Sequence, residues 1–298
     1  MDKTILGVDW GTSNRRAYLI DQHANCLAEY EDDQGMLAVG ERDRFGPSLD
    51  ALRSAMGIDT TIPVILSGMV GSASGWQEVN YLDTSVPLTA LPSHLAPVGA
   101  APWSANCRIV PGYAYRRGPS IDVMRGEETQ LLGAVVLGQR DGWLVLPGTH
   151  SKWVLLQDGA VDSLSTYMTG ELYAMLSKGG TLSSLMGGDS SDAAGFTAGL
   201  DQAGAGEPLT NTLFRVRAGV VSRSAPVEQA AAFVSGLLIG AEFAAAARSL
   251  PAGGTVTVIG SPALAKRYAV AARHFGLQCQ VLDPHRVYCT AISQFIKA

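Results

Sequence analysis

The hydrophobic pattern at the start of the chain predicts a β-rich opening. Mainly aliphatic residues fill positions 4–8, and further extended stretches are predicted at 15–20 and 26–31, with polar residues between them. A weakly helical stretch follows at 44–56. PVILS at 63–67 is typical of a short buried strand.

The remaining pattern alternates predicted strands with predicted helices. Residues 187–208 contain few bulky side chains and are expected to form a loop with a short helix. A hairpin is expected around Asp158-Gly159, because this dipeptide favours a tight turn. Helices are predicted at 124–137, 227–249, 263–275 and from about 288, with strands at 106–111, 142–146, 153–157, 161–164 and 255–259.

A strand that runs into a Gly-Thr turn occurs twice, in VDWGTSN at 8–14 and in LPGTHSKW at 146–153. This repetition predicts two similar α/β domains. We place the first at residues 1–139 and the second at 140–298, with the last helix able to pack back on the first domain.

Composition narrows the class of protein. Apolar residues make up 47% of the 298 residues and charged residues 16%, which supports a sizeable core. The net charge of −5 and the lack of a basic tract argue against a nucleic-acid partner. No apolar run is judged long enough for a membrane span, and no signal peptide is recognised, so a cytoplasmic protein is expected. The four separate cysteines form no zinc motif and are expected to be reduced.

The first Gly-Thr turn has the chemistry of a phosphate site. Glycine lets the backbone approach a ligand, and backbone N–H groups with hydroxyls can hold phosphate. Asp9, at the end of the preceding strand, could bind a hydrated Mg²⁺. A plain hairpin turn, with Asp9 accepting hydrogen bonds from backbone amides, is the alternative. The candidate phosphate ligands are Gly11, Thr12, Ser13 and Asn14.

The second turn repeats this chemistry with Gly148, Thr149 and His150, and adds Lys152. Its spacing does not match a Walker A loop. Lys152 could neutralise a phosphate or a substrate carboxylate, or could be a solvated strand residue.

Adjacent acids, Glu127 and Glu128, open the helix predicted after Arg125-Gly126. One of them could act as a general base toward a substrate hydroxyl. Alternatively, both could only balance the positive end of the helix dipole.

Three other turns are weaker candidates. GMVGSASGW contributes Gly68, Met69 and Trp76, and could offer donors to a polar substrate or form an ordinary surface loop. Gly260-Ser261, between a strand and a helix, could contact a nucleoside. Glu171 lies in a candidate substrate turn at 168–171.

In this order, the motifs resemble the superfamily of sugar kinases, heat-shock 70 proteins and actin. VDWGTSNRRAYLID resembles its first phosphate loop, LPGTHSKWV its second, and VIGSPALAKRY its adenosine segment. The resemblance implies an α/β chain of two ribonuclease H-like (actin-like ATPase) domains with a cleft between them. It also implies ATP and Mg²⁺ as cofactors.

The chain resembles the 2-dehydro-3-deoxygalactonokinase family in the sequences of several segments, among them DWGTSNRRAYL, GMVGSASGW, MRGEETQLLGA, PGTHSKWV and VSGLLIGAE. The similarity runs from Ile5 to about Ile296. That family phosphorylates 2-dehydro-3-deoxy-D-galactonate at O6 in galactonate breakdown. A small-molecule sugar acid and ATP are therefore the expected partners, and a homodimer is left open.

If the roles of the family's residues are transferred to the matching motifs, Asp9 is the acid that binds Mg²⁺. Glu127 is then the general base, with Glu128 as the alternative base. The substrate is a carboxylate, for which Arg16, Arg125 and Lys152 are candidate counter-charges. Gly260 and Ser261 are the adenosine residues. Two other functions remain open: an exopolyphosphatase-like phosphohydrolase, and a non-enzymatic ATP-binding regulator of the actin-like type.

Overall fold

The computed structural model describes residues 3–99 and 102–296. The outermost residues of the two predicted domains, 1, 2, 297 and 298, lie outside this range. The strands are β1 (Thr4–Trp10), β2 (Arg15–Asp21), β3 (Cys26–Asp32), β4 (Val64–Gly68), β5 (Leu82–Asp83), β6 (Ala96–Pro97), β7 (Cys107–Ile109), β8 (Tyr113–Arg117), β9 (Ser120–Met124), β10 (Gly142–Leu146), β11 (Ser151–Gln157), β12 (Ala160–Tyr167), β13 (Thr255–Ile259) and β14 (Gln278–Leu282). The α-helices are α1 (Met36–Val39), α2 (Phe45–Met56), α3 (Glu127–Val136), α4 (Thr169–Lys178), α5 (Ala193–Gly204), α6 (Leu209–Val221), α7 (Ala230–Ala246), α8 (Pro262–His274) and α9 (Pro284–Phe295).

The chain divides into two compact units. The first contains residues 1–142, 154–164 and 282–298, and the second contains 143–153 and 165–281. The domain boundary at residue 139/140 stays a prediction.

The first unit is built on a six-stranded sheet of order β3-β2-β1-β4-β7-β6. Strands β1, β4 and β7 are parallel, and β2 and β3 extend the sheet as antiparallel neighbours. Side chains alternate between its two faces. Leu6, Val8 and Trp10 pack into one core with Phe45 and Leu49 of α2.

On the opposite face, α9 lies directly on the sheet and on α3. A Cβ atom on Gly7 of β1 would come within 2.9 Å of Ile292 of α9. One on Gly133 of α3 would overlap the carbonyl oxygen of Val287. Glycine at these positions therefore allows a closer approach than any other residue.

The second unit has strands β10 and β13 in parallel, with Trp143 opposite Val256. They belong to a five-stranded sheet of order β12-β11-β10-β13-β14. Helices α5 and α7 approach closely, because Gly199 and Gly236 leave room for the backbone carbonyl oxygens of Phe233 and Phe196. Small residues on both helices thus allow this close packing.

Two sequence predictions differ from the structure in this unit. Residues 187–192 form a loop, as predicted, but the helix that follows, α5, has twelve residues rather than being short, and the candidate turn at 168–171 is the start of α4. The glycines of α5 lower its helix propensity, but α7 packs against them and offsets that cost.

Among the described residues, one helical stretch, Val227–Ala246, is long and apolar enough to span a membrane. The prediction that no run reaches this length is therefore wrong. However, 72% of the apolar window is buried inside the protein, as expected of a core helix.

Candidate active site

Parallel pairing brings two chain segments together at one edge of the six-stranded sheet. Asp9 pairs with Ser67, and Trp10 pairs with Gly68, at the carboxyl ends of β1 and β4. Asp9 lies on the face of the sheet that carries α9. Gly68 has a φ angle of +85°, and a Cβ on it would meet the Trp10 carbonyl oxygen at 2.7 Å and Asp9 Oδ1 at 3.2 Å.

The environment of Asp9 makes its carboxyl group hard to ionise. Its pKa is raised from 3.8 to about 6, mainly by burial, while the charge of Arg16 lowers it and the charge of Glu127 raises it by smaller amounts. A cation beside Asp9 would relieve this cost.

The turn after Asp9 is closed by a hydrogen bond from the Gly11 N–H to the Asn14 carbonyl oxygen, at 3.0 Å. Carbonyl oxygens of the turn accept hydrogen bonds from α1. The Met36 N–H donates to the Gly11 carbonyl oxygen, and the Leu37 N–H donates to the Thr12 carbonyl oxygen. The side chains of Thr12, Ser13 and Asn14 remain exposed. The turn is thus fixed from behind while its polar side chains are free to meet a ligand.

Trp10 holds this turn in place from the core. Its ring is fully buried and packs against Phe45, and its Nε1–H donates to the carbonyl oxygen of Gln34 at 2.9 Å. Arg15 lies over the ring at 4.7 Å. Sequence reasoning left this tryptophan without a role.

The start of α3 meets the same edge of the sheet. Gly126, with φ +107°, would bring a Cβ within 3.2 Å of the Gly68 Cα. Glu127 is half-buried, lies close enough to Asp9 to raise its pKa, and accepts from the Arg125 N–H at 3.0 Å.

Glu128 points into the interior, unlike its neighbour. It is completely buried, and its carboxylate accepts from the Gly126 N–H at 2.7 Å and from the Thr129 hydroxyl at 3.2 Å. Burial, with a smaller contribution from Glu127, raises its pKa from 4.5 to about 8.

Arg125 carries a buried guanidinium beside these acids. Nη2 donates to the Val79 carbonyl oxygen at 2.7 Å, and the group lies 4.3 Å from the ring centre of Tyr81. Its Nε and Nη1 are buried and have no hydrogen-bond partner. Nη1 packs on Gly71, in the GMVGSASGW segment.

Two other predicted substrate residues lie in less accessible places. Trp76 is 7% exposed and belongs to the core, stacked on Phe45 and in edge contact with Trp103. Met69 packs against the same core. Arg16 forms a salt bridge with Glu31 at 3.0 Å.

In the second unit, the second Gly-Thr turn packs against the start of α4. The Glu171 N–H donates to the Thr149 carbonyl oxygen at 2.9 Å, and a Cβ on Gly170 would overlap the Gly148 carbonyl oxygen. His150 Nε2 lies 2.7 Å from Glu171 Oε2. Gly148, Thr149 and His150 are exposed.

The turn after β13 approaches the same loop. A Cβ on Gly260 would lie 2.8 Å from Pro147 Cγ, and Ser261 follows as an exposed residue. Lys152, by contrast, is buried, and its amine donates to the Thr166 hydroxyl at 3.0 Å. The structure therefore brings the predicted second-unit residues together, except that Lys152 faces the protein interior.

A family model described as 2-keto-3-deoxy-galactonokinase matches residues 9–295. The chain belongs to this family.

Sequence identity with individual relatives supports the same family. This chain is 35% identical to a protein of Rhizobium meliloti (strain 1021) named as a probable 2-dehydro-3-deoxygalactonokinase, over 98% of this chain and 96% of that protein. It is 33% identical to the 2-dehydro-3-deoxygalactonokinase of Escherichia coli (strain K12), over 93% of this chain and 91% of that protein. The predicted family is confirmed, and it is a family of kinases.

Solved structures show the fold of this family member. The crystal structure of a candidate 2-dehydro-3-deoxygalactonokinase from Sinorhizobium meliloti matches with a TM-score of 0.89 at 34% identity, over 98% of this chain and 95% of that one. A candidate N-acetylglucosamine kinase from Porphyromonas gingivalis matches with a TM-score of 0.51 at 14% identity, over 97% of this chain and 98% of that one. The α/β fold of actin-like ATPases and sugar kinases is confirmed.

The buried carboxyl of Glu128 predicts how the stability of this family member depends on pH. Because the folded state raises the pKa of Glu128 from 4.5 to about 8, the folded protein binds more protons than the unfolded chain in that interval. The free energy of unfolding should therefore fall as the pH rises from 4.5 to 8. Glu128→Gln should make this decline shallower in urea denaturation measured at several pH values.

Asp9→Asn is the matched control, because the pKa of Asp9 is raised from 3.8 only to about 6. Asp9→Asn should make the fall in the free energy of unfolding shallower below about pH 6 and should leave the fall above pH 6 unchanged. A Glu128→Gln protein with the same pH slope as the wild type would show that Glu128 is not held protonated.

Proposed function

We propose that this chain transfers a phosphoryl group from ATP to O6 of 2-dehydro-3-deoxy-D-galactonate. The product is 2-dehydro-3-deoxy-6-phospho-D-galactonate, and the setting is galactonate catabolism in the cytoplasm. The observation that carries the proposal is the convergence of Asp9 and Glu127 beside the exposed turn 11–14, in a chain of this kinase family.

Glu127 is the general base in this proposal. It takes the proton of the O6 hydroxyl, the oxygen attacks the γ-phosphorus, and ADP leaves with the electrons of the broken P–O bond. Its half-buried position and its proximity to Asp9 support this role. Complete burial and a pKa of about 8 argue against Glu128, which we assign to the support of the Gly126 turn.

Asp9 is the residue that would hold Mg²⁺. The described part of the chain has no cluster of three or more His, Cys, Asp or Glu side chains suited to a metal. Mg²⁺ usually needs only one or two carboxylates and otherwise binds water and substrate phosphates, so the single carboxyl group of half-buried Asp9 fits it. When bound, Mg²⁺ would neutralise charge on the transferring phosphoryl group.

The polar turns would hold the phosphates. In the first unit, exposed Thr12, Ser13 and Asn14 offer hydroxyl and amide donors to the transferring group. In the second unit, Gly148, Thr149 and His150 would contact the β- and γ-phosphates. The adenosine would contact Gly260 and Ser261, whose turn packs on Pro147.

Arg125 is our choice for the substrate carboxylate. Two of its nitrogens, Nε and Nη1, are buried without an acceptor, which is costly unless a ligand supplies one. A guanidinium can bind a carboxylate through two parallel hydrogen bonds. The segment around Gly71, which packs on Nη1, would have to shift to admit the ligand. Arg16 is paired with Glu31 and leaves only its Nε without a partner, and the Lys152 amine donates to the Thr166 hydroxyl.

A coupled assay of ADP formation tests the proposed reaction. With Mg²⁺ and ATP, 2-dehydro-3-deoxy-D-galactonate should be consumed faster than its gluco epimer and other 2-keto-3-deoxy sugar acids. Phosphorus-coupled NMR should place the new phosphate on O6. ATP or polyphosphate hydrolysis that is unaffected by any sugar acid would contradict the proposal and favour a phosphohydrolase.

Glu127→Gln should lower kcat by about 100-fold or more, because a positioned general base contributes roughly 10²–10⁴-fold. Nucleotide binding, measured by calorimetry, should persist. Glu128→Gln is the matched control at the next position and should keep kcat near the wild-type value at pH 7. The reverse pattern would transfer the role of base to Glu128.

Arg125→Met should raise KM for the sugar acid by about 10-fold or more and leave KM for ATP within about twofold, since each charged hydrogen bond contributes roughly 1.5–3 kcal/mol. Arg53→Met is the control, because Arg53 is also buried, donates to the Ile62 carbonyl oxygen and has an unpartnered Nε. If Arg125→Met and Arg53→Met changed KM for the sugar acid and KM for ATP to the same extent, Arg125 would only stabilise the fold.

A further inference from the structure

One buried carboxylate in the second unit has no role in the reaction proposed above. Glu242 lies on α7 and is 1% exposed. Its Oε2 accepts from the Ser151 hydroxyl and from Trp153 Nε1–H, both at 2.8 Å, and its Oε1 accepts from the Tyr268 hydroxyl at 2.7 Å. The Thr169 side chain is a fourth donor. A carboxylate out of water is costly, so this complete set of donors is what makes its burial tolerable.

The four donors come from segments that adjoin the second Gly-Thr turn. Ser151 and Trp153 follow His150 on β11. Thr169 is the first residue of α4, whose Gly170 and Glu171 contact Gly148 and Thr149.

Tyr268 completes the set on the other side. It lies on α8, the helix that begins directly after Gly260-Ser261, and its hydroxyl also bonds Ser151 Oγ at 3.1 Å. Glu242 is thus linked to the loop, to the start of α4 and to the helix after the 260–261 turn.

We infer that Glu242 is a positioning residue for the second phosphate loop, and that it sets the affinity for the nucleotide. This inference rests on the proposed function, because it takes residues 148–150 as phosphate ligands. Preorganised donors bind a phosphate better than donors that must first be ordered. Loss of the Glu242 hydrogen bonds should therefore weaken nucleotide binding without affecting the sugar acid.

The chemistry of the donors distinguishes two substitutions. Trp153 Nε1–H can only donate, whereas the three hydroxyls can donate or accept. Glu242→Gln can turn its carbonyl oxygen to Trp153 and its amide N–H groups to Tyr268 and Thr169, so the connections survive. Glu242→Leu fills a similar volume and removes all four.

The test compares nucleotide affinity with stability. ADP binding by calorimetry, KM for ATP and KM for the sugar acid are measured at least 15 °C below each variant's melting temperature. Glu242→Leu should weaken ADP binding and raise KM for ATP by about 10-fold, with KM for the sugar acid unchanged. Glu242→Gln should stay within about threefold of the wild type.

Phe243→Leu is the matched control. Phe243 is the neighbouring fully buried residue and packs edge-on against Trp153 at 5.0 Å, but it makes none of the four hydrogen bonds. It should lower the melting temperature and leave ADP binding unchanged. Equal loss of ADP affinity in Phe243→Leu and Glu242→Leu would overturn the inference, as would an unchanged affinity in Glu242→Leu.

If Glu242→Leu does not fold, Thr169→Val decides, because it removes one donor at nearly constant volume. It should weaken ADP binding measurably, and wild-type affinity would overturn the inference. Failure of the proposed function is separate, since it would appear as wild-type protein that binds ADP but phosphorylates no sugar acid.

Discussion

Parallel pairing of β1 with β4 is the constraint on which the first-unit site depends. It brings the carboxyl ends of two strands to one edge, and that edge can accept the start of α3 only because Gly68 and Gly126 have no side chains. A side chain on Gly126 would crowd Gly68, and one on Gly68 would crowd Trp10 and Asp9 of β1. The glycines therefore determine the distance between two acids that lie more than a hundred positions apart in the chain.

Three carboxyl groups with a raised pKa differ in what surrounds them. Asp9, Glu128 and Glu242 all have a raised pKa, and burial is the largest cause for each. Asp9 lies beside a second acid and an exposed polar turn, which suits a cation. Glu128 accepts from a backbone N–H beside α3. Glu242 is satisfied by side chains from three other elements, which suits a structural junction.

Strands β1 to β4 and β7 of the first unit could be predicted from the sequence, because runs of hydrophobic residues are local signals. The phosphate chemistry of the first Gly-Thr turn stays a prediction. The confirmed family came from the joint order of several such motifs. The separate environments of Glu127 and Glu128 could not be predicted, since a helix start alone does not show which side faces the core. Arg125 was one of three equal candidates until its unpartnered N–H groups were visible. Glu242 gave no local signal, because its donors come from positions 151, 153, 169 and 268.

The position of α9 has a consequence for synthesis on the ribosome. This helix covers the face of β1 and packs on α3, yet it is encoded after the entire second unit. Until residues 284–295 leave the ribosomal tunnel, Gly7 and Gly133 border an uncovered apolar surface. The nascent first unit must wait with this surface exposed, and it is therefore open to aggregation and to binding by chaperones during translation.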